Sequence, residues 1–68
     1  MVNLAKIRGL LAENHITYDQ MAEKIGISTR TFWSKMQTGK FGVDECEIMI
    51  RELHIEDPIS IFFANIAT

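Results

Sequence analysis

The stretch Thr17-Tyr18-Asp19-Gln20-Met21-Ala22-Glu23-Lys24-Ile25-Gly26-Ile27-Ser28-Thr29-Arg30-Thr31-Phe32-Trp33-Ser34-Lys35-Met36 decides the fold of this chain. It opens on a threonine whose hydroxyl can accept a free amide of a first helical turn. Gln20, three residues on, can reach back and complete a capping box. Met21, Ala22 and Ile25 then share one helix face. Gly26 ends that helix, because a residue without Cβ readily enters the left-handed conformation that turns the chain. Only Gly26 and Ile27 precede a second cap, Ser28, which starts a helix over 29–37 with Phe32 and Met36 inward. Two helices separated by so few residues are expected to cross at a steep angle rather than run antiparallel. Such a crossing needs a small residue at the closest approach, here Ala22. It needs a turn residue that tolerates positive φ, here Gly26, and apolar anchors beneath, here Met21, Ile25, Ile27 and Phe32.

Working outward, the same reasoning predicts three further helices and no strand. Leu4, Ile7, Leu10 and Leu11 recur at the spacing of one buried face, which predicts a helix over 4–14. Gly9 weakens that segment by about 1 kcal/mol relative to alanine, so packing must compensate. After a glycine-containing loop, Thr38-Gly39-Lys40-Phe41-Gly42, a helix over 43–53 would bury Cys46, Met49, Ile50 and Leu53. Asp57-Pro58 then reads as a cap and a first helical turn. It starts a short helix over 58–64 that carries Ile59, Ile61, Phe62 and Phe63.

Sixty-eight residues allow one domain, 1–68, and no second core. A chain this short buries only about 60% of the surface it exposes unfolded, so a modest stability is expected. Hydrophobic residues make up 47% of it, enough for a core without covalent staples. The single cysteine, Cys46, has no partner for an internal disulfide and no neighbouring ligands at zinc spacing. No stretch approaches the roughly 20 apolar residues that span a bilayer. The first residues lack the basic-then-apolar run of a secretory signal. The expectation is a cytoplasmic protein without cofactor, metal or membrane partner.

The net charge of −2 argues at first sight against nucleic acid. The distribution reverses that inference. Residues 28–42 hold Arg30, Lys35 and Lys40 with no acid. Residues 43–57 hold Asp44, Glu45, Glu47, Glu52, Glu56 and Asp57 against Arg51. A ligand meets the local field of one face, not the total.

The run 17–36 resembles the helix-turn-helix of the phage Cro/CI repressor family, the XRE-like or lambda-repressor-like regulators. The flanks agree: Ile7-Arg8 with Leu10 resembles the family's first helix. Ile55-Glu56-Asp57-Pro58-Ile59-Ser60-Ile61-Phe62-Phe63 resembles its closing segment in small phage regulators, so the likeness spans about residues 4–64. It implies an all-α fold, a five-helix lambda-repressor-like bundle. The implied function is that of a sequence-specific DNA-binding transcriptional regulator, a repressor that occupies an operator. The family's third helix reads base edges, which here offers Thr29, Arg30, Trp33 and Ser34. Arg30 can reach guanine O6 and N7 as a bidentate pair. Trp33 can press on a thymine methyl or donate its indole N–H to a phosphate. Where family members place Gln to hold the DNA backbone, this chain has Tyr18, whose hydroxyl can do the same. Lys35, Thr38 and Lys40 are candidates for phosphate contacts that set register. A homodimer, at least on DNA, is implied, with Ile59, Phe62 and Phe63 as its contact.

Each assignment has a plainer alternative. Arg30 can pair with Glu23, Trp33 can pack on the domain or a second subunit, and Lys35 can sit in solvent. Cys46 reads as a small core residue. His15 and His54, beside helix C-termini, read as structural. The carboxylates of 43–57 fit a solvated face or a protein partner. A second function of another class therefore stands beside the first: a protein-binding modulator that keeps the architecture and acts on another repressor. No phosphate-cradling glycine loop, activated nucleophile or metal-ligand cluster suggests an enzyme.

Overall fold

The computed structural model describes residues 2–62. Along them run five helices: α1 (Leu4–Glu13), α2 (Tyr18–Ile25), α3 (Thr29–Thr38), α4 (Val43–Glu52) and α5 (Pro58–Phe62). No strand occurs among the described residues. The described residues are all-helical, as the periodicity predicts.

Local chemistry sets most of the boundaries. Thr17 caps α2 with the full reciprocal box: its Oγ1 accepts the Gln20 amide at 3.1 Å, and Gln20 Oε1 accepts the Thr17 amide at 2.9 Å. Ser28 Oγ accepts the Thr31 amide at 3.1 Å and donates to Thr31 Oγ1 at 2.8 Å, which starts α3. Asn3, which the sequence reading passed over, caps α1 through its Oδ1, accepting the Lys6 amide at 3.1 Å. Asp57 and Pro58 open α5 as expected, with the Ser60 hydroxyl donating to the Asp57 carbonyl at 3.0 Å.

Three helices end by one device, and only one of the three was anticipated. Gly26, with φ +91°, places the Ile27 amide on the Ala22 carbonyl at 3.0 Å and its own amide on Glu23 at 3.2 Å. After α1, His15 takes the same left-handed turn (φ +56°), and Ile16 donates back to Leu11 at 2.9 Å. After α4, His54 (φ +54°) does so again, and Ile55 donates to Ile50 at 3.0 Å. In each case an isoleucine follows the left-handed residue and folds back onto the core. The two histidines are therefore turn residues, and their strained conformation costs about 1–2 kcal/mol each, which a glycine would escape.

The core is built from all five helices: Ile7 and Leu11, Met21 and Ala22, Phe32 and Met36, Met49 and Leu53, and Ile61 and Phe62, with Ile55 from the last turn. The Asn3 amide donates to the Ile61 carbonyl at 2.6 Å and ties the start of the chain to α5. Val2 and Leu4 lie against Gly39, whose φ of +74° ends α3.

Several expectations need correction. Leu4, Leu10, Ile25, Cys46 and Ile50 are half-buried at the rim of the core rather than inside it. Ile55, not expected in the core, is buried, whereas Ile59, expected at an exposed contact, is 56% exposed. Asn14 and Leu53 are C-caps rather than the last helical residues, and α3 includes Thr38. Phe63 and the end of the helix expected over 58–64 lie outside the described residues.

Candidate nucleic-acid interface

α2 and α3 meet through Gly26, Ile27 and Ser28. Phe32 and Met36 anchor α3 from below, at 0% and 4% exposure. With 3.6 residues per turn, burying 32 and 36 turns 30, 33, 34 and 37 outward. Arg30, Trp33, Ser34 and Gln37 are indeed exposed, and Thr29, at the first turn, is half-buried. Gln37 was absent from the residues singled out by sequence. It lies one turn beyond Trp33 and Ser34, and its side-chain amide has the paired donor and acceptor that match an adenine edge. The i, i+3, i+4, i+7 spacing from Arg30 was the signal that could have found it.

Trp33 is not packed away. It is 52% exposed, with one side of its ring on Tyr18 at a centroid distance of 4.6 Å. Tyr18 in turn meets the edge of the buried Phe32 at 5.2 Å, and Phe32 lies 6.0 Å from Phe41. A line of aromatic rings thus runs from the core to the surface through α2 and α3. The half-buried ring of Tyr18 is part of this line.

The basic segment is reduced by its neighbour. Lys35 Nζ lies 3.1 Å from Glu45 Oε1, and these side chains are 26% and 16% exposed. The same carboxylate oxygen accepts the Gly42 amide at 2.7 Å at the start of α4. Lys35 therefore joins α3 to α4. Thr38 is occupied as well: its hydroxyl donates to the Ser34 carbonyl at 3.3 Å and accepts the Lys40 amide at 3.3 Å. Arg30 and Lys40 are exposed, and neither takes part in an ion pair among the described residues. The Arg30–Glu23 alternative is not realised.

Of the three residues expected at a dimer contact, Phe62 is buried at 4% and belongs to the core. Ile59 alone among the described members is exposed, and Phe63 lies outside them.

No protein-family model matches the chain, and neither a curated protein nor a solved structure is significantly similar to it.

Two further titratable groups, Cys46 and Glu52, depart from their ordinary values. Burial, and then the Glu45 carboxylate, push the Cys46 thiol above its ordinary value, so it stays protonated and unreactive at neutral pH. Lys24 Nζ lies 3.0 Å from Glu52 Oε1 and links α2 to α4. That hydrogen bond and charge hold the Glu52 carboxyl below its ordinary range, with Arg51 adding to the effect. No group of three or more His, Cys, Asp or Glu among the described residues could hold a metal. No helix there is long and apolar enough to cross a membrane.

Proposed function

We propose that the chain is a sequence-specific DNA-binding regulator. In this reading α2 and α3 are a helix-turn-helix, and the outer face of α3 enters the major groove. The observation that carries it is the split of α3 into a buried side, Phe32 and Met36, and an outer side that offers Arg30, Trp33, Ser34 and Gln37 to solvent. Arg30 supplies a guanidinium for guanine, Ser34 and Gln37 supply neutral hydrogen bonds, and Lys40 supplies a phosphate contact. The resemblance to phage repressors supports the same assignment and adds repression as its outcome. One such helix covers only a few base pairs. A homodimer on two half-sites about 34 Å apart is therefore part of the proposal. Nothing in it requires catalysis, a cofactor or a metal.

Selection of bound duplexes from a random pool tests this. An enriched palindrome is the expected result, and a pool that stays random after repeated rounds would overturn the proposal. On the selected site, Arg30→Ala should lose about 1–3 kcal/mol and relax one base position. Lys40→Ala should instead weaken all sequences alike and flatten the salt dependence.

The Lys35–Glu45 pair favours a second reading. It removes one of three cations from the basic segment, while α4 beside it carries Asp44, Glu45 and Glu47. A domain so weakly charged toward phosphate suits a modulator that binds another repressor. A gel shift that appears only when such a repressor is added, and changes with this chain, would select that reading.

A further inference from the structure

We propose that Trp33, held by Tyr18, recognises the C5-methyl group of pyrimidines in the major groove, so that thymine and 5-methylcytosine are read alike. This rests on the DNA-binding reading and names the chemistry of one base position within it.

Trp33 presents an indole to solvent. Its only polar group is an N–H, which donates and cannot accept. It therefore cannot pair with the amino groups of adenine or cytosine. In an intact duplex the faces of the bases are stacked on one another, and the one apolar group on the major-groove edge is the thymine methyl. Trp33 is 52% exposed on a segment, 28–42, whose charged residues are all cations. An apolar plate on a segment that also carries the exposed cations Arg30 and Lys40 suits a methyl group flanked by phosphates.

The plate is also fixed. Tyr18 lies against it at 4.6 Å with a 58° tilt, and is itself braced on the fully buried Phe32 at 5.2 Å and 80°. A freely rotating indole would lose conformational entropy on binding, whereas one already braced loses less. Tyr18 is thus a positioning residue that acts through Trp33.

The test uses the full chain and its selected duplex, with each thymine replaced in turn by deoxyuridine, which lacks only the methyl. Burial of one methyl corresponds to about a fourfold change in affinity. One thymine per half-site should show that loss with the wild-type chain and none with Trp33→Ala. Cytosine at the same position should bind more weakly than 5-methylcytosine by the same factor. Tyr18→Phe keeps the ring and should preserve the thymine-to-uracil ratio, whereas Tyr18→Ala should erase it at an unchanged salt dependence. Trp33 is the one tryptophan of the chain, so its emission should shift on binding the thymine duplex. If a site is selected and no deoxyuridine change matters, or Trp33→Ala shows the same loss, the methyl inference fails while the DNA-binding reading stands. If no site is selected, both fail. The wild-type arms need no variant to fold.

Discussion

Residues 17–38 and residues 43–62 are built by the same means, yet they relate differently to their sequence. In the first region caps, turn and most of the buried face follow from local pattern, with Ile25 and Ile27 at the rim. Thr17 and Ser28 cap as their side chains dictate, Gly26 turns, and Met21, Ala22, Phe32 and Met36 are buried. In the second region helix positions follow from the pattern, but the faces do not. Phe62, expected at an exposed contact, points inward, as does Ile55, and Cys46 and Ile50 sit at the rim. The reason is the number of apolar choices. α3 offers few large apolar residues besides Phe32 and Met36, so its face is set once it folds. The closing segment, Ile55 to Phe62, contains four large apolar residues in eight, and more than one face can be buried. There the neighbours decide.

The largest expected effect strikes where the two regions meet. Phe32→Ala removes a fully buried ring that braces Tyr18 and lies 6.0 Å from Phe41. It should cost about 3–5 kcal/mol, a large share of the stability of so small a domain. Urea unfolding followed by circular dichroism would show it, and a midpoint close to wild type would break the claim that α3 is anchored by this residue.

A smaller effect contrasts the turns, with opposite signs. Gly26→Ala, at φ +91°, should cost about 1–2 kcal/mol. His54→Gly, at φ +54°, should be stabilising by about 0.5 kcal/mol, because relief of the left-handed strain exceeds the greater unfolded-state entropy of glycine. Thermal unfolding of both variants checks this, and a destabilised His54→Gly would show that the imidazole has a role beyond the turn.

The Lys24–Glu52 pair, which ties the two regions, gives a pH-dependent term. The folded carboxyl is held below its ordinary value, so its stabilisation is complete above that value and is lost as the pH falls through the lowered one. The urea midpoint of Lys24→Met should therefore lie slightly below wild type at neutral pH and converge with it in acid. A constant offset would assign the difference to something other than this ion pair.

The smallest effect on stability belongs to Ile59→Ser, on an exposed side chain, and should stay within about 0.5 kcal/mol. Its value lies in assembly. Sedimentation at rising concentration, with and without the selected duplex, should show weaker self-association if Ile59 is part of a dimer contact.

The candidate interface was partly legible for the same reason. Arg30, Trp33 and Ser34 stand outward because Phe32 and Met36 must stand inward, a relation contained in helical spacing. Gln37 obeys the same spacing and was missed for want of extending the face by one turn. Lys35 and Thr38 could not be judged that way. Whether a lysine is available depends on which carboxylate folds against it, and Glu45 belongs to another helix.

The amino-acid sequence alone determined where α2 and α3 begin and where α2 stops, because caps and turns are contests between groups a few residues apart. It also determined which side of α3 is greasy. Only the tertiary structure decided which cations remain exposed, that Tyr18 props Trp33, and that Phe62 fills the core. Those outcomes depend on distances between side chains far apart along the chain, and these arise only once the helices have packed.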